Sequence, residues 1–533
     1  MTWGTPPYVL LRGTRACLVR IRPTVNENFQ AGFNPLRERL RDPLLTAQTA
    51  LWGLIVLGIL FRLRQYLFDR SLWLDESFLA LNIIRRSPVE LLGPLDYGQG
   101  APIGFLWLQK LAVHSLGSGE MVLRLVPFLA GIGSILLFTV VARRFLSPGA
   151  VLIAVGLFSI CNPLISYSSQ AKQYSSDVAI VLVLYLMASS LLDAKLEIIR
   201  LILVSAAGAV AVWLSHPAAF VLAGLGLSSL WISARKNDWL AMLKISIVIT
   251  IWSCSFLVCY LVSLSDLSHS QTMLDYWKGA FAPFPLSSLE SATWYVKSFF
   301  GIFAYPVGLT FTGIAAVAAM LGGMQIFWKN QGRFFLLILP TAITLLASGL
   351  HLYPFQGRLL LFIVPSAILL IAAGLASIPR ETAGTIPLLR SLLIGFLFFH
   401  PLAHVSREFL QPRGAEELRS VIEYVERHRS EGDILYSYYA SAPSLEYYSL
   451  RGLIKPIHTV VGVYSRQNWK PYREDLDKLR GAKRVWILFS HVWSDAGGNE
   501  EKLFLDYLDS MGKRLDSSLV TGASAYLYDL SPE

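Results

Sequence analysis

The feature that most constrains this chain is its succession of long apolar segments. Hydrophobic residues make up 54% of the 533 residues and charged residues only 15%. A helix needs about 20 mostly apolar residues to cross the hydrocarbon core of a bilayer, where lipid offers the backbone no hydrogen-bond partner. The sequence therefore predicts an α-helical polytopic membrane protein with about eleven spans, over 46–66, 122–142, 149–167, 176–193, 198–214, 217–234, 241–263, 302–328, 333–350, 358–377 and 386–403.

The linkers between these segments predict an orientation. Basic linkers such as "ARRFLSPG", "SARKNDWLAMLK" and "WKNQGR" alternate to one side, which the positive-inside rule makes cytoplasmic. The Arg-rich tail 1–45 is expected on the same side and shows no cleavable signal peptide. The first long loop, 67–121, and the C-terminal region then lie on the extracytoplasmic side.

The composition changes near residue 405. The first 404 residues carry 29 Lys+Arg and 17 Asp+Glu, whereas the remainder carries 17 and 19. Strand-like and amphipathic segments alternate there, which predicts a small α/β soluble domain over 405–533, after a transmembrane domain over 46–404. No Gly-rich nucleotide fingerprint follows its first strand, and the basic excess upstream is explained by topology rather than by nucleic acid.

Two adjacent carboxylates follow the first span. Asp75 and Glu76 lie in "LWLDESFLALN", between Trp73 and a run of apolar residues. Carboxylates beside apolar surroundings are costly unless they are paired or used. Two interpretations are compatible with this pattern. The residues are either a solvated acidic pair at the membrane interface, or they include a general base that acts on a hydroxyl or amine.

A second polar group lies in "SYSSQAKQYSSDV", at a junction predicted to face the same side. Gln170, Gln173 or Tyr174, and Asp177 recur at helical spacing and can share a face. Lys172 is the one cation of this turn. Two interpretations are compatible with this pattern. The segment is either a solvated loop whose lysine extends to the membrane surface, or a polar wall that binds phosphate.

Further polar residues sit at the remaining outer junctions. Arg358 opens an otherwise apolar span, and its guanidinium suits a phosphate by fork geometry and permanent charge. Gln99 lies in a Gly/Pro-rich turn, Arg124 begins the second span, and His216 occupies a very short turn. No spacing of His, Cys or Asp predicts a metal site.

These motifs, in this order, resemble the GT-C superfamily of membrane glycosyltransferases, most closely the protein O-mannosyltransferase-like group that includes the aminoarabinose transferases. "WLDES" resembles the acidic motif of the first outer loop, and "GQGAPIGFLWLQKLAVHSLGSGEMVLRLVPFLAG" resembles the loop and span start that follow it. "SYSSQAKQYSSDV" and "YPFQGRLLLFIVP" resemble the two later outer motifs. The resemblance covers about 46–400 of this chain and implies the GT-C fold.

The resemblance implies an inverting, hexosyltransferase- or mannosyltransferase-like enzyme in a bacterial inner membrane. Its donor would be a polyprenyl-phosphate sugar, and its acceptor a protein, lipid or glycan on the outer face. Asp75 would be the general base, and Glu76 would position either Asp75 or a bound polar group. Arg358 and Lys172 would hold the donor phosphate, and the remaining candidates would line the substrate pocket: Gln99, Arg124, Gln170, Tyr174 and His216. No cofactor is required, and a divalent cation is left open.

The second motif departs from the family pattern, because Gln170 and Lys172 stand where Glu and Arg are usual. Lysine keeps the cation but loses the planar fork. A catalytically inactive scaffold therefore stays open as an alternative, as does a transporter or flippase of a lipid-linked glycan. The predicted spans are poor in midplane charge, which disfavours transport.

Overall fold

The computed structural model describes residues 43–193, 197–379, 385–466, 468–495 and 498–532. Within these ranges, seven helical segments are long and apolar enough to cross a membrane: Thr46–Leu67, Glu120–Phe145, Ala218–Arg235, Trp239–Ser268, Gln331–Gly349, Gly357–Ser377 and Pro387–Leu410. The chain is therefore a multi-pass membrane protein. The tail 1–45 lies outside the described residues up to position 42.

The membrane part is built from helices α1 to α17: Pro43–Leu67, Leu74–Arg85, Ile103–Leu116, Glu120–Phe145, Pro148–Ile160, Asn162–Tyr167, Tyr174–Asp193, Ile198–Leu214, Ala218–Arg235, Trp239–Cys259, Ser265–Ser268, Gln271–Tyr276, Leu289–Ala304, Thr312–Lys329, Gln331–Gly349, Val364–Ser377 and Thr385–Leu410. A 3₁₀ segment, Gly357–Ile363, leads directly into α16. The predicted count of eleven spans stays a prediction, since α5, α8 and Tyr174–Ala188 are shorter apolar helices.

Two predicted spans are each broken into two helices. The segment predicted over 302–328 contains the end of α13 at Ala304 and the start of α14 at Thr312. Pro306 lacks a backbone N–H and Gly308 has a φ of +80°, so the helix cannot continue through them. The segment predicted over 149–167 is interrupted at Cys161, where the backbone is extended before α6.

The C-terminal region forms the predicted α/β domain. Its helices are α18 to α21, Leu418–His428, Ala442–Leu450, Trp469–Asp477 and Glu500–Met511, and its strands are β1 to β7, Ile434–Ser437, His458–Val461, Val485–Ser490, Ser494–Asp495, Gly498–Asn499, Lys513–Val520 and Ala523–Asp529. The main sheet has the order β2-β1-β3-β7-β6. β1 is parallel to β2 and β3, and β7 is antiparallel to β3 and β6.

One face of this sheet packs on the loop 67–121 that follows the first span. All six residues of β3 are buried, because helices cover the sheet on both faces. The hydrophobic cluster on one face includes Leu445 of α19 and Trp486 of β3, and it continues into Leu79 and Ile83 of α2. The α/β domain and the loop after the first span therefore share one core.

Polar contacts reinforce this packing. The Tyr448 hydroxyl accepts a hydrogen bond from the Leu72 amide at 3.0 Å, and the hydroxyls of Ser77 and Ser444 lie 2.8 Å apart. Glu416 accepts a hydrogen bond from the Leu74 amide at 3.2 Å. These contacts place the start of α2, and with it Asp75, against the α/β domain.

Candidate functional site

Asp75 lies in the first turn of α2, next to Glu76. Trp73 precedes the helix in an extended conformation, and carboxylates are favoured at a helix N-terminus because the unpaired amides and the macrodipole are positive there. The remaining face of α2 is apolar and buried against the shared core. This burial fixes the direction in which the two carboxylates project.

Asp75 is held by two cations from distant parts of the chain. Lys172 Nζ lies 3.0 Å from Asp75 Oδ1, and Arg358 Nη1 lies 2.8 Å from Oδ2. Burial opposes ionisation of Asp75, but the charges of Lys172 and Arg358 outweigh it and the pKa of Asp75 is lowered. Burial also lowers the pKa of Lys172, although Asp75 opposes that shift. The three side chains carry a formal charge of +1 when all are ionised.

Gln99 joins this cluster from the loop 67–121, which also contains Asp75. Lys172 Nζ donates a hydrogen bond of 2.6 Å to Gln99 Oε1, and the Gln99 side chain also interacts with Asp75. The turn before it places Tyr97 and Gly98 at a φ of 61°, which redirects the chain toward the cluster. Gln99, Lys172 and Asp75 therefore form one connected polar group.

Glu76 points away from Asp75 and is fully buried. Arg124 donates to it from Nε at 2.9 Å and from Nη2 at 2.8 Å, and the Ala171 amide donates at 2.7 Å. Burial disfavours the Glu76 carboxylate, but Arg124 and the hydrogen bonds outweigh it and the pKa of Glu76 is lowered. Glu76 thus ties α2 and α4 to the residue that precedes Lys172.

A cavity of about 1,400 Å³ opens beside this cluster. It is lined by six of the nine residues predicted for the site: Asp75, Gln99, Lys172, Tyr174, His216 and Arg358. The aromatic rings of Tyr174 and Trp73 flank the Arg358 guanidinium, with ring centroids 5.6 and 5.9 Å from Cζ. The polar end of the cavity is therefore positively charged and walled by aromatic rings.

Two residues predicted to line the substrate pocket, Arg124 and Gln170, do not line this cavity. Arg124 is buried at 2% exposure because its guanidinium is taken up by Glu76 and by the carbonyls of Arg70 and Ser71. Gln170 donates from Nε2 to the Ser166 hydroxyl at 3.1 Å, within its own turn. Glu76, predicted to position Asp75, also lies outside the cavity.

The rest of the cavity wall is largely apolar. Helices α8, α9, α10 and α15 supply it, with side chains that include Val212, Leu222, Ile249, Trp252, Phe256 and Ile343. The cavity therefore joins a cationic, aromatic end to a long hydrocarbon wall. Such a shape fits an amphiphilic ligand with an anionic head.

The α/β domain supplies a further part of the lining. Tyr439, Tyr464, Arg466, His491 and Trp493 all face the cavity. The Arg466 guanidinium lies 4.1 Å from the Trp493 ring centroid, and its Nε donates to the Tyr439 hydroxyl at 2.7 Å. Sequence reasoning did not identify these residues, since only long-range packing brings them to the cavity.

Trp73, Gln173 and Asp177 also line the cavity. The helical spacing of Gln173 and Asp177 was the available sequence signal for these two residues. Among the described residues, no group of three or more His, Cys, Asp or Glu side chains could hold a metal ion.

The multi-pass helical body with its small α/β domain has the GT-C fold, as two solved structures of similar architecture show. ArnT from Cupriavidus metallidurans in the apo state is similar, with a TM-score of 0.50 and 14% identity over 89% of this chain and 98% of that one. The same protein bound to undecaprenyl phosphate has a TM-score of 0.50 and 13% identity over 89% and 98%. The fold implied by the resemblance is thus confirmed.

The oligosaccharyltransferase AglB from Archaeoglobus fulgidus, in complex with an inhibitory peptide and a dolichol-phosphate, is less similar. Its TM-score is 0.44, with 12% identity over 89% of this chain and 74% of that one. No protein-family model and no curated protein sequence matches the chain.

Proposed function

We propose that this protein is a glycosyltransferase that moves a sugar from a polyprenyl-phosphate donor to an acceptor at the outer face of the membrane. The observation that carries the proposal is the pairing of Asp75 with Lys172 and Arg358 at the mouth of a largely apolar cavity. Such a transfer needs a carboxylate to accept the acceptor's proton, cations to bind the donor phosphate and an apolar surface to hold the lipid tail, and this cavity contains all three.

The two cations suit the donor phosphate. Their combined charge exceeds that of Asp75 by one, so the cluster attracts an anion. Arg358 can present parallel N–H groups to phosphate oxygens, and Lys172 adds a compact point charge. Charge that develops on the departing phosphate would be stabilised by donors already in position, which is the usual route to a large rate effect.

The apolar wall suits the polyprenyl tail. Leu222, Ile249, Phe256 and their neighbours offer hydrocarbon surface that runs from the cationic end into the membrane body. The solved ArnT structure with undecaprenyl phosphate supports a lipid of this class. A hexose or mannose donor, which the resemblance implies, belongs to the same proposal and is tested with it.

Asp75 would act as the general base. The acceptor hydroxyl or amine gives its proton to the Asp75 carboxylate and bonds to the anomeric carbon of the sugar. The bond from that carbon to the phosphate oxygen breaks, and the polyprenyl phosphate leaves with the electron pair. Direct displacement of this kind inverts the anomeric centre.

Donor binding would also prepare the base. In the free protein Lys172 and Arg358 lower the pKa of Asp75, which makes the carboxylate a weak base. A phosphate that engages the same two cations offsets their charge at Asp75 and raises its pKa. Asp75 therefore becomes a stronger base when the donor is present. Glu76 is a positioning residue, because it fixes Arg124 and the Ala171 amide beside Lys172.

The site is proposed to face the periplasmic side of a bacterial inner membrane, with 1–45 cytoplasmic and 405–533 extracytoplasmic. The support is the distribution of basic linkers and the placement of Asp75, Lys172 and Arg358 at linkers of the other set. Antibody access to tags placed at residue 1 and residue 533 in intact spheroplasts tests this orientation.

The deciding experiment compares purified wild type with Asp75→Asn on a panel of polyprenyl-phosphate sugars, with a membrane extract as acceptor. We expect turnover of at least one donor by wild type and its loss in the variant. Asp96→Asn is the matched control, because Asp96 is an exposed carboxylate of the same loop that pairs with Arg86 at 2.8 Å.

Equal turnover by wild type and Asp75→Asn would remove Asp75 from the mechanism. Movement of the intact lipid-linked sugar across a vesicle membrane, without sugar transfer, would favour the transporter hypothesis. Donor binding with neither transfer nor transport would favour the scaffold hypothesis. The proposal needs no metal ion, since Lys172 and Arg358 meet the leaving phosphate, so turnover is expected to survive EDTA.

A further inference from the structure

Apart from Asp75, whose Oδ2 forms the ion pair with Arg358, four side chains that line the cavity carry a buried polar atom without a hydrogen-bond partner among the described residues. These atoms are Trp73 Nε1, Gln173 Oε1, Asp177 Oδ1 and His216 Nε2. Gln173 is 7% exposed and Asp177 is 4% exposed. Buried polar groups in folded proteins are almost always satisfied, so each of these atoms calls for a partner from the cavity.

Three of these side chains, Gln173, Asp177 and His216, come from neighbouring positions in the cavity wall. The Gln173 carbonyl accepts a hydrogen bond from the Asp177 amide at 2.9 Å, so these residues lie one turn apart at the start of α7. Gln173 Nε2 donates to the Gly100 carbonyl at 3.1 Å, which fixes its Oε1. The side chain of Ser215, the residue before His216, interacts with the Asp177 carboxyl, so this serine already takes up part of the hydrogen-bonding capacity of Asp177.

This patch is next to the cationic cluster and distinct from it. Tyr174 stands between Gln173 and Asp177 in sequence, and its ring packs against Arg358, as does the ring of Trp73. In the described part of the chain, Asp177 has no Lys or Arg within ion-pair distance, whereas Asp75 has two. The patch is therefore not a second phosphate site, because it contains the Asp177 carboxyl and no permanent cation.

The donor and acceptor pattern restricts what can bind there. The Trp73 indole nitrogen only donates, Gln173 Oε1 and an ionised Asp177 only accept, and His216 Nε2 does either according to its tautomer. An isoprenoid chain has no polar group and cannot hydrogen-bond to any of these atoms. A phosphate diester offers only acceptor oxygens, which would face the acceptor atoms of Gln173 and Asp177. Hydroxyl groups both donate and accept, so a ring that carries several of them complements the patch.

We propose that Trp73, Gln173, Asp177 and His216 form a subsite for the hydroxyl groups of the sugar carried by the donor. This inference rests on the proposed function, because it takes the phosphate at Lys172 and Arg358 as the neighbouring group. The subsite holds the sugar at the polar end of the cavity, and its hydrogen bonds select among donors that share the same lipid.

The test separates recognition of the sugar from recognition of the lipid phosphate. Binding of undecaprenyl phosphate and of undecaprenyl-phosphate hexose, pentose and N-acetylhexosamine is measured on purified protein in detergent. The variants are Asp177→Asn, which keeps the side-chain shape, and His216→Ala. Ser176→Ala is the matched control, since Ser176 also has an unpartnered hydroxyl but does not line the cavity.

We expect Asp177→Asn and His216→Ala to weaken the preferred sugar-bearing lipid about tenfold each, as is usual when a polar partner is lost. Undecaprenyl phosphate itself should bind these variants and the control as it binds wild type. Equal weakening of both lipids, or no change for any member of the panel, overturns the subsite. Failure of wild type to bind undecaprenyl phosphate would instead overturn the proposed function.

Discussion

Arg124 holds Glu76 through two parallel hydrogen bonds of 2.9 and 2.8 Å, and neither side chain is more than 2% exposed. The neighbouring carboxylate, Asp75, faces the cavity instead. Successive residues of a helix point about 100° apart, so adjacent carboxylates cannot share a direction. Glu76 therefore has a structural role in the buried ion pair, and Asp75 is the carboxylate that lines the cavity.

Truncation of Glu76 should destabilise the protein severely. Glu76→Ala leaves the Arg124 charge buried without its partner, and breaking a buried pair in this way costs about 3–5 kcal/mol. The measurement is the unfolding temperature in detergent. Glu76→Ala combined with Arg124→Ala should lose less than the sum of the two single losses. Strict additivity would show that the two side chains do not interact energetically.

Removal of the Arg358 guanidinium should lower turnover with a modest effect on folding. Arg358→Ala deletes a donor proposed to meet charge on the departing phosphate, and loss of one such donor costs about 10²–10³-fold in kcat. Arg358→Lys should recover part of the rate, because it restores charge but not the fork. Arg86→Ala, in the loop 67–121, is the control. An unchanged kcat in Arg358→Ala would refute the assignment.

The pH dependence of kcat/KM should report the cations around Asp75. Lys172 and Arg358 hold the pKa of Asp75 below that of an ordinary aspartate, so the free protein keeps Asp75 ionised and its kcat/KM shows no acid limb from Asp75 at neutral pH. Stability contributed by this ionised group is present above the unfolded pKa and is lost as pH falls through the folded one.

The Lys172→Met substitution removes one of the two charges that lower the pKa of Asp75. The pKa of Asp75 should then rise, and the acid limb of the residual kcat/KM should move to higher pH. Gln170→Met, in the same turn but outside the cavity, should leave the profile in place. A profile for Lys172→Met that coincides with that of wild type would show that Lys172 does not control the ionisation of Asp75.

The attachment of the α/β domain should depend on Glu120. This carboxylate is 2% exposed and pairs with Arg419 at 3.0 Å and with Arg451, both from the α/β domain. Glu120→Gln removes the charge and should accelerate hydrogen exchange in α18 and α19 while the exchange of α16 stays unchanged. Glu426→Gln, a partly exposed acid of α18, is the control. Protection that is unaffected by Glu120→Gln would mean that apolar packing alone holds the domain.

Much of the fold could be predicted from the sequence. Apolar length predicts the membrane helices, and the alternation of strands with amphipathic helices predicts the α/β domain, because both signals are local. The break between α13 and α14 at Pro306 and Gly308 was missed, since the apolar run 302–328 continues through it. A prediction of spans from segment length and hydropathy cannot detect a turn of the backbone inside a hydrophobic segment.

The amino-acid sequence was enough to locate the charged residues at the junctions between the apolar segments: the Asp75–Glu76 pair, Lys172 and Arg358. Which of these residues pair with one another depends on the tertiary structure. Asp75 pairs with Lys172 and Arg358, and Glu76 pairs with Arg124. The α/β domain contributes Arg466 and Trp493 to the cavity wall. The physical reason is that ion pairs and shared walls depend on distance in space, whereas sequence patterns record only the spacing along one helix or strand.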